Sequence, residues 1–231
     1  MNRPNIVFVH TDQQHHLAVS AYGNTDVSTP NIDRLVNDGI AFRRSYSANP
    51  VCCPARASWY TGRMSVEHGV IGNRLNIDPD MPDLGQWLTE HTDYECVYSG
   101  KWHVTGRDVE QSFRVLYGRH PYGELQDSGA TRSASQYIAH HASSGSDRPF
   151  FLSVGLLNPH DCCYVCGFNG PLGKYGMASE LSDLPELPDN FDIDLLPPNQ
   201  KHRVGHWTRT DWQYYVYQCY RMVETVDAQI G

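Results

Sequence analysis

The chain is 231 residues long, 40% hydrophobic and 11% aromatic, which suits one large α/β domain or two small ones with a sizeable core. Its formal net charge of -8 argues against a general nucleic-acid binder, whose phosphate affinity needs accumulated Lys and Arg. That charge gives no long-range pull on an anionic substrate, so any anion site must depend on local cations and a metal.

Cysteines stand at 52, 53, 96, 162, 163, 166 and 219, an odd set without the regular spacing of a secreted disulfide framework. Cys163-x-x-Cys166 has no second Cys-x-x-Cys or Cys/His pair to complete a zinc site, so it reads as incidental thiols. The apolar segment Ile6 to Val9 is too short for a signal-peptide core, and no run is long enough to span a bilayer. As written the chain reads as cytoplasmic, with no membrane partner; it would be periplasmic or secreted had a leader been removed.

Asn5 to Thr11 is expected to be a buried strand delivering Asp12 and Gln13 to its C-terminal edge, where ligands collect in open α/β sheets. Asp12 could bind a cation there or cap the next turn. From Ser28 to Gly39 the text reads as a helix. Thr29 caps it, Pro30 takes the first position, Ile32, Leu35 and Val36 make its apolar face, and Gly39 stops it. Ile40 to Tyr46 is expected to be a strand.

Val51-Cys52-Cys53-Pro54-Ala55-Arg56 follows, running on to Thr61-Gly62. Proline just inside a helix start leaves the free N–H groups of the first turn facing the residues before it. Cys52 would then sit at the positive end of a helix, and Arg56, one turn along, could fork onto a tetrahedral oxyanion. The bland alternative is a buried structural Cys-Cys pair.

Residues 64–83 read as an irregular loop, Leu84, Trp87 and Leu88 as a short amphipathic helix, and Glu95 to Tyr98 as a strand. That strand ends in Gly100-Lys101-Trp102-His103, where alternation would put Lys101 and His103 on one face. Lysine could hold an anion and histidine move a proton, or both could line a solvated rim. Residues 104–147 are weakly patterned, with one helix expected around Ser133 to Ala142 and a solvated His140-His141. Pro149 to Leu157 is the most strand-like run and is expected at the centre of the sheet, ending in Asn158-Pro159-His160-Asp161. Asp161 could orient His160 or be a turn residue, and the turn is the better reading. Gly167 to Asn199 reads as a long surface excursion, and the apolar repeat from Trp212 to Ile230 as a helix lying flat on the sheet.

Cys52-x-Pro54-x-Arg56 with Thr61-Gly62 resembles the signature of the type I sulfatases. So do Thr-Pro-Asn-Ile-Asp-Arg-Leu from Thr29 and Gly-Lys-Trp-His from Gly100. The resemblance implies an α/β, alkaline-phosphatase-like fold: a mixed, largely parallel sheet with helices on both faces. It also implies that residues 1–231 are one domain, the N-terminal portion of a catalytic domain, with the C-terminal part absent. In that family the first cysteine becomes formylglycine, made by a separate maturation enzyme, and its hydrate attacks the sulfur of a sulfate ester. The catalytic residues carried over are Cys52, Arg56, Lys101, His103 and His160. Asp12, Gln13 and residue 52 would hold a divalent cation, calcium first, with magnesium or manganese as alternatives. The family usually has a second aspartate where Gln13 stands; an amide oxygen can coordinate but brings no charge. The implied substrate is a sulfated small molecule or sulfated sugar. Two other readings stay open: a phosphonate or phosphate ester hydrolase of the same superfamily, and a truncated, non-catalytic anion-binding domain.

Overall fold

The structure is a computed structural model that describes residues 3–118, 122–165 and 184–231. It divides into two compact units, one built from the segment up to Gln13 with Ile40–Leu157, the other from Gln14–Gly39 with Asn158–Gly231.

The first unit is organised on a four-stranded sheet. Its strands are β1 (Ile6–Asp12), β2 (Glu95–Gly100), β3 (Arg114–Tyr117) and β4 (Phe150–Pro159), in the order β1-β4-β2-β3. β2 runs parallel to both β3 and β4. β4 is buried along its whole length, as an interior strand covered on both faces must be, and its place inside the sheet agrees with the sequence reading. Neighbouring residues of a strand point to opposite faces, and β2 shows what covers each. On one side Tyr98 packs against Tyr60 of helix α2 (Cys52–Thr61), with ring centroids 6.3 Å apart. On the other, Ser99 Oγ donates to the Ala130 carbonyl of a later 22-residue helix, Gly123–Ser144 (2.8 Å).

The core on the α2 side is aromatic: Tyr60, Tyr98, Trp102 and Phe113 pack together, joined by Cys53, Val70 and Phe151. Leu84 and Leu88 of the helix Leu84–His91 close it, as the amphipathic pattern predicts. Each such side chain stabilises the fold by roughly 1.5–3 kcal/mol on burial. Residues 64–83 are mostly irregular as expected, though Ser65–His68 forms one helical turn. Buried Arg107 orders this loop by donating to the carbonyls of Asp78, Pro79 and Met81 and to Asp83 Oδ2 (3.0 Å).

In chain order the remaining helices are α1 (Pro30–Asp38), α3 (Ser65–His68), α4 (Leu84–His91), α5 (Gly123–Ser144), α6 (Cys162–Val165), α7 (Pro198–Val204) and α8 (Arg209–Ile230). Several expectations need correction. Residues 40–46 form no strand, and Ile40, Phe42 and Tyr46 are exposed; an apolar run becomes a strand only where a neighbour pairs with it. β3 was not foreseen, because its four residues are too few to carry a period. α5 starts ten residues before Ser133, since its first half buries the polar Gln126 and Asp127, which bond to β4, rather than an apolar stripe. A Cβ on Gly129 would come within 2.3 Å of the Tyr117 ring, so only glycine allows that approach. His140 is exposed as expected, but His141 stands edge-on to Phe150, ring centroids 4.8 Å apart.

In the second unit, Thr29 does not cap α1 with its side chain. Its hydroxyl instead joins Ser20 and Asp33, while buried Asp227 of α8 takes the first-turn N–H groups of Asn31 (3.2 Å) and Ile32 (2.7 Å). A carboxylate at a helix N-terminus satisfies both the orphan donors and the dipole. Leu35, assigned to the apolar face, is exposed, and Val223 of α8 packs instead on Ala18 and Val27. Within its own unit α8 packs on α1 and α6. Cys166 and most of the 167–199 excursion lie outside the described residues. Among the described residues no helix is long and apolar enough to cross a membrane.

Candidate active site

Asp12 is the last residue of β1, and its buried carboxylate is where the first unit's candidate residues meet. Arg56 Nη2 donates to Asp12 Oδ2 at 3.1 Å, and Lys101 Nζ forms a second ion pair with the same oxygen. The Cys52 thiol donates to the other oxygen, Oδ1, at 3.4 Å. Three residues singled out from two separate stretches of sequence therefore converge on the carboxyl group of a fourth, Asp12.

Local structure explains each placement. Val51 is extended, and α2 begins at Cys52 with Pro54 in its first turn, where the missing N–H costs nothing. The N–H of Cys53 is taken by the Asn73 side-chain oxygen (3.0 Å). Cys53 itself is fully buried, its sulfur 3.1 Å from the Thr105 hydroxyl, whereas Cys52 is only half-buried. The adjacent thiols thus have different fates, one in the core and one toward Asp12. Gly62, at φ 66°, ends the helix.

Lys101 and His103 lie past the end of β2, so the strand alternation invoked for them does not apply. Gly100 (φ 102°) turns the chain first, and a Cβ there would lie 2.1 Å from the Gly155 carbonyl oxygen. Lys101 N–H then donates to that same carbonyl (2.8 Å). Its side chain is buried on Asp12, while His103 is half-buried and adopts φ 58°. Gln13 is exposed with φ 65°. His160 follows β4 directly and belongs to the second unit, half-buried, with its ring 6.3 Å from that of Tyr164. The N–H of Asp161 donates to Asn158 Oδ1 (3.2 Å), a turn in keeping with its reading as a turn residue.

Sequence reasoning missed His10. It lies two residues before Asp12 on the same strand, hence on the same face, and its Nδ1 is 3.3 Å from Arg56 Nη1. Its Nε2 is 3.1 Å from the Tyr60 hydroxyl, which contacts Ser153 Oγ at 2.7 Å. A histidine inside an otherwise apolar run was the available signal.

Burial, with help from the Arg56 charge, holds the His10 imidazole well below its ordinary pKa and so neutral. The Cys52 thiol is pushed up, first by burial and then by the Asp12 carboxylate, with Lys101 and Arg56 opposing. An unmodified Cys52 is therefore a neutral thiol near pH 7, which is a poor nucleophile.

The Sulfatase family model matches residues 4–170, which include β1, the whole of α2 and the turn that carries Lys101. The chain belongs to the sulfatase family. Among curated proteins this chain is 27% identical to a delta 4,5-hexuronate-2-O-sulfatase of Bacteroides thetaiotaomicron, over 99% of its own length and 51% of that protein's. Among solved structures it is similar to a 2-O GAG sulfatase, at TM-score 0.76 and 24% identity, covering 99% of this chain and 53% of the other. It is also similar to the phosphonate monoester hydrolase of Agrobacterium radiobacter, at TM-score 0.68 and 22% identity, covering 99% and 58%. The chain thus spans about half the length of the curated relative it matches, and its fold is the alkaline-phosphatase-like α/β arrangement.

Proposed function

We propose that this chain is the N-terminal portion of a sulfatase catalytic domain that hydrolyses sulfate esters, with Cys52 as the residue converted to formylglycine. The observation that carries the reading is the convergence of Cys52, Arg56 and Lys101 on the Asp12 carboxylate. A half-buried side chain at a helix start, beside two buried cations, suits a tetrahedral anion.

The elevated pKa of the Cys52 thiol supports chemistry through a modified residue rather than a thiolate. A formylglycine there would supply an oxygen nucleophile as its hydrate, and a divalent cation would neutralise charge on the sulfuryl group. The donor chemistry fits such a cation in part: Asp12 offers a hard oxygen on the side facing Cys52, with Gln13 as a candidate neutral ligand. Calcium takes about six to eight oxygen ligands, so these residues would be part of a larger set.

Arg56 and Lys101 would bind the sulfuryl oxygens and match the charge that builds on them. His103 would take a proton from position 52 as sulfate leaves. His160 would protonate the departing alcohol. The relatives named for uronic-acid and GAG sulfates favour a sulfated sugar as substrate. A formylglycine-generating maturation enzyme would be a required partner.

The likeness to a phosphonate monoester hydrolase favours one second reading, since both anions are tetrahedral. The test is coexpression with a maturation enzyme, tryptic mass spectrometry of the 52–53 peptide, and rates on aryl sulfate, phenylphosphonate and aryl phosphate with added calcium. Loss of the thiol at Cys52 and preference for sulfate are expected. Modification at Cys53 with Cys52 intact overturns the assignment of the nucleophile. Faster phosphonate turnover replaces the sulfatase reading by the second one.

A further inference from the structure

We propose that His10 is a positioning residue for Arg56, its Nδ1 lone pair fixing the guanidinium in the orientation in which it meets a sulfate group. The inference rests on the reading of Arg56 as a sulfate ligand.

Guanidinium nitrogens only donate, so the 3.3 Å contact makes His10 Nδ1 the acceptor. The ring proton then resides on Nε2, where the Tyr60 hydroxyl oxygen lies 3.1 Å away. Four groups hold Arg56: His10 Nδ1 and the carbonyls of Lys101 and Trp102 on Nη1 (3.3, 2.7 and 3.4 Å), and Asp12 on Nη2 (3.1 Å). Of these, Asp12 is also tied to Lys101 and Cys52, and its pull on Arg56 weakens whenever those groups move to a substrate. His10 and the backbone carbonyls have no such second duty toward the anion. With its Nη1 protons so occupied, Arg56 would meet an anion through Nε and the second Nη2 proton, donors that can fork onto two oxygens.

The surroundings are built around this imidazole. It is packed among Phe8 and Trp59, with centroids at 5.1 and 5.3 Å, so an apolar side chain would fill the space without the cost of burying two polar nitrogens. A Cβ on Gly155 would come within 2.9 Å of His10 Cε1 and 2.4 Å of the Lys101 carbonyl, so glycine there leaves room for both of these Nη1 partners.

The experiment measures binding of inorganic sulfate to this chain by calorimetry for the parent, Arg56→Ala, His10→Leu, His10→Asn and His10→Gln, with thermal melting of each. Asparagine sets an acceptor oxygen near the Nδ1 position, whereas glutamine places its amide near Nε2. His10→Leu and His10→Gln should weaken sulfate binding about tenfold, the worth of one charge-assisted hydrogen bond, and His10→Asn should stay within about threefold of the parent. A residue that only anchored Tyr60 would show the opposite order, glutamine better than asparagine, and that result overturns the proposal. If His10→Leu does not fold, the asparagine–glutamine contrast still decides. Unchanged affinity in Arg56→Ala would instead refute the sulfate-ligand reading and the inference with it. Weakened binding in Arg56→Ala with all His10 variants unchanged would refute the inference alone.

Discussion

Replacing Asp12 by alanine should destabilise the first unit more than any other single substitution at the site. The carboxylate is 5% exposed in its side chain and is shared by Arg56, at 1%, and Lys101, at 5%. Removing one partner of a buried ion pair costs about 3–5 kcal/mol, because the other charge is left without compensation. Here one deletion strands two cations. Arg56 keeps the Lys101 carbonyl and His10, so the loss should fall near 4 kcal/mol rather than at twice the single-pair figure. Urea unfolding of the parent, Asp12→Ala, Lys101→Met and the double variant gives the comparison. The double variant should be more stable than Asp12→Ala alone, since it removes one stranded charge, and the cycle should show a coupling of about 1–3 kcal/mol. Added sulfate should also restore Asp12→Ala preferentially, by binding where the carboxylate stood. A loss below about 1 kcal/mol, with no coupling to Lys101, would refute the view of Asp12 as the shared counter-charge.

Cys52 should alkylate more slowly with iodoacetamide than a free thiol at pH 8, followed by peptide mass spectrometry; faster labelling would contradict the raised pKa. Because burial favours its neutral form, its contribution to stability is complete below the unfolded thiol pKa and fades as pH rises from there through the higher folded value. Gly155→Ala should cost several kcal/mol in thermal melts, since its Cβ would meet the Lys101 carbonyl at 2.4 Å and the Tyr98 hydroxyl at 2.8 Å; an unchanged melting temperature would show that the backbone yields there. Asp227→Ala should cost about 2–3 kcal/mol in denaturant, by freeing two first-turn N–H groups of α1, and a loss within about 0.5 kcal/mol would show that water replaces the cap.

The sequence by itself determined the elements whose signals are local. The start of α2 follows from Val51-Cys-Cys-Pro, the burial of β4 from a mostly apolar run broken only at Ser153 and Gly155 before Asn158, and α4 from Leu84 and Leu88. Its place at a strand end marked Asp12, and resemblance to the sulfatase motifs marked Cys52, Arg56 and Lys101. Only the tertiary structure decided how these residues meet. One carboxylate lies between two cations, Cys53 turns inward while Cys52 faces Asp12, and Lys101 arrives through a left-handed glycine rather than by strand alternation. The same holds for His10, for β3, for residues 40–46, which form no strand, and for the Asp227 cap on α1. Each depends on a partner far away in the chain, and local propensity has no access to a hydrogen bond closed across 46 or 195 residues.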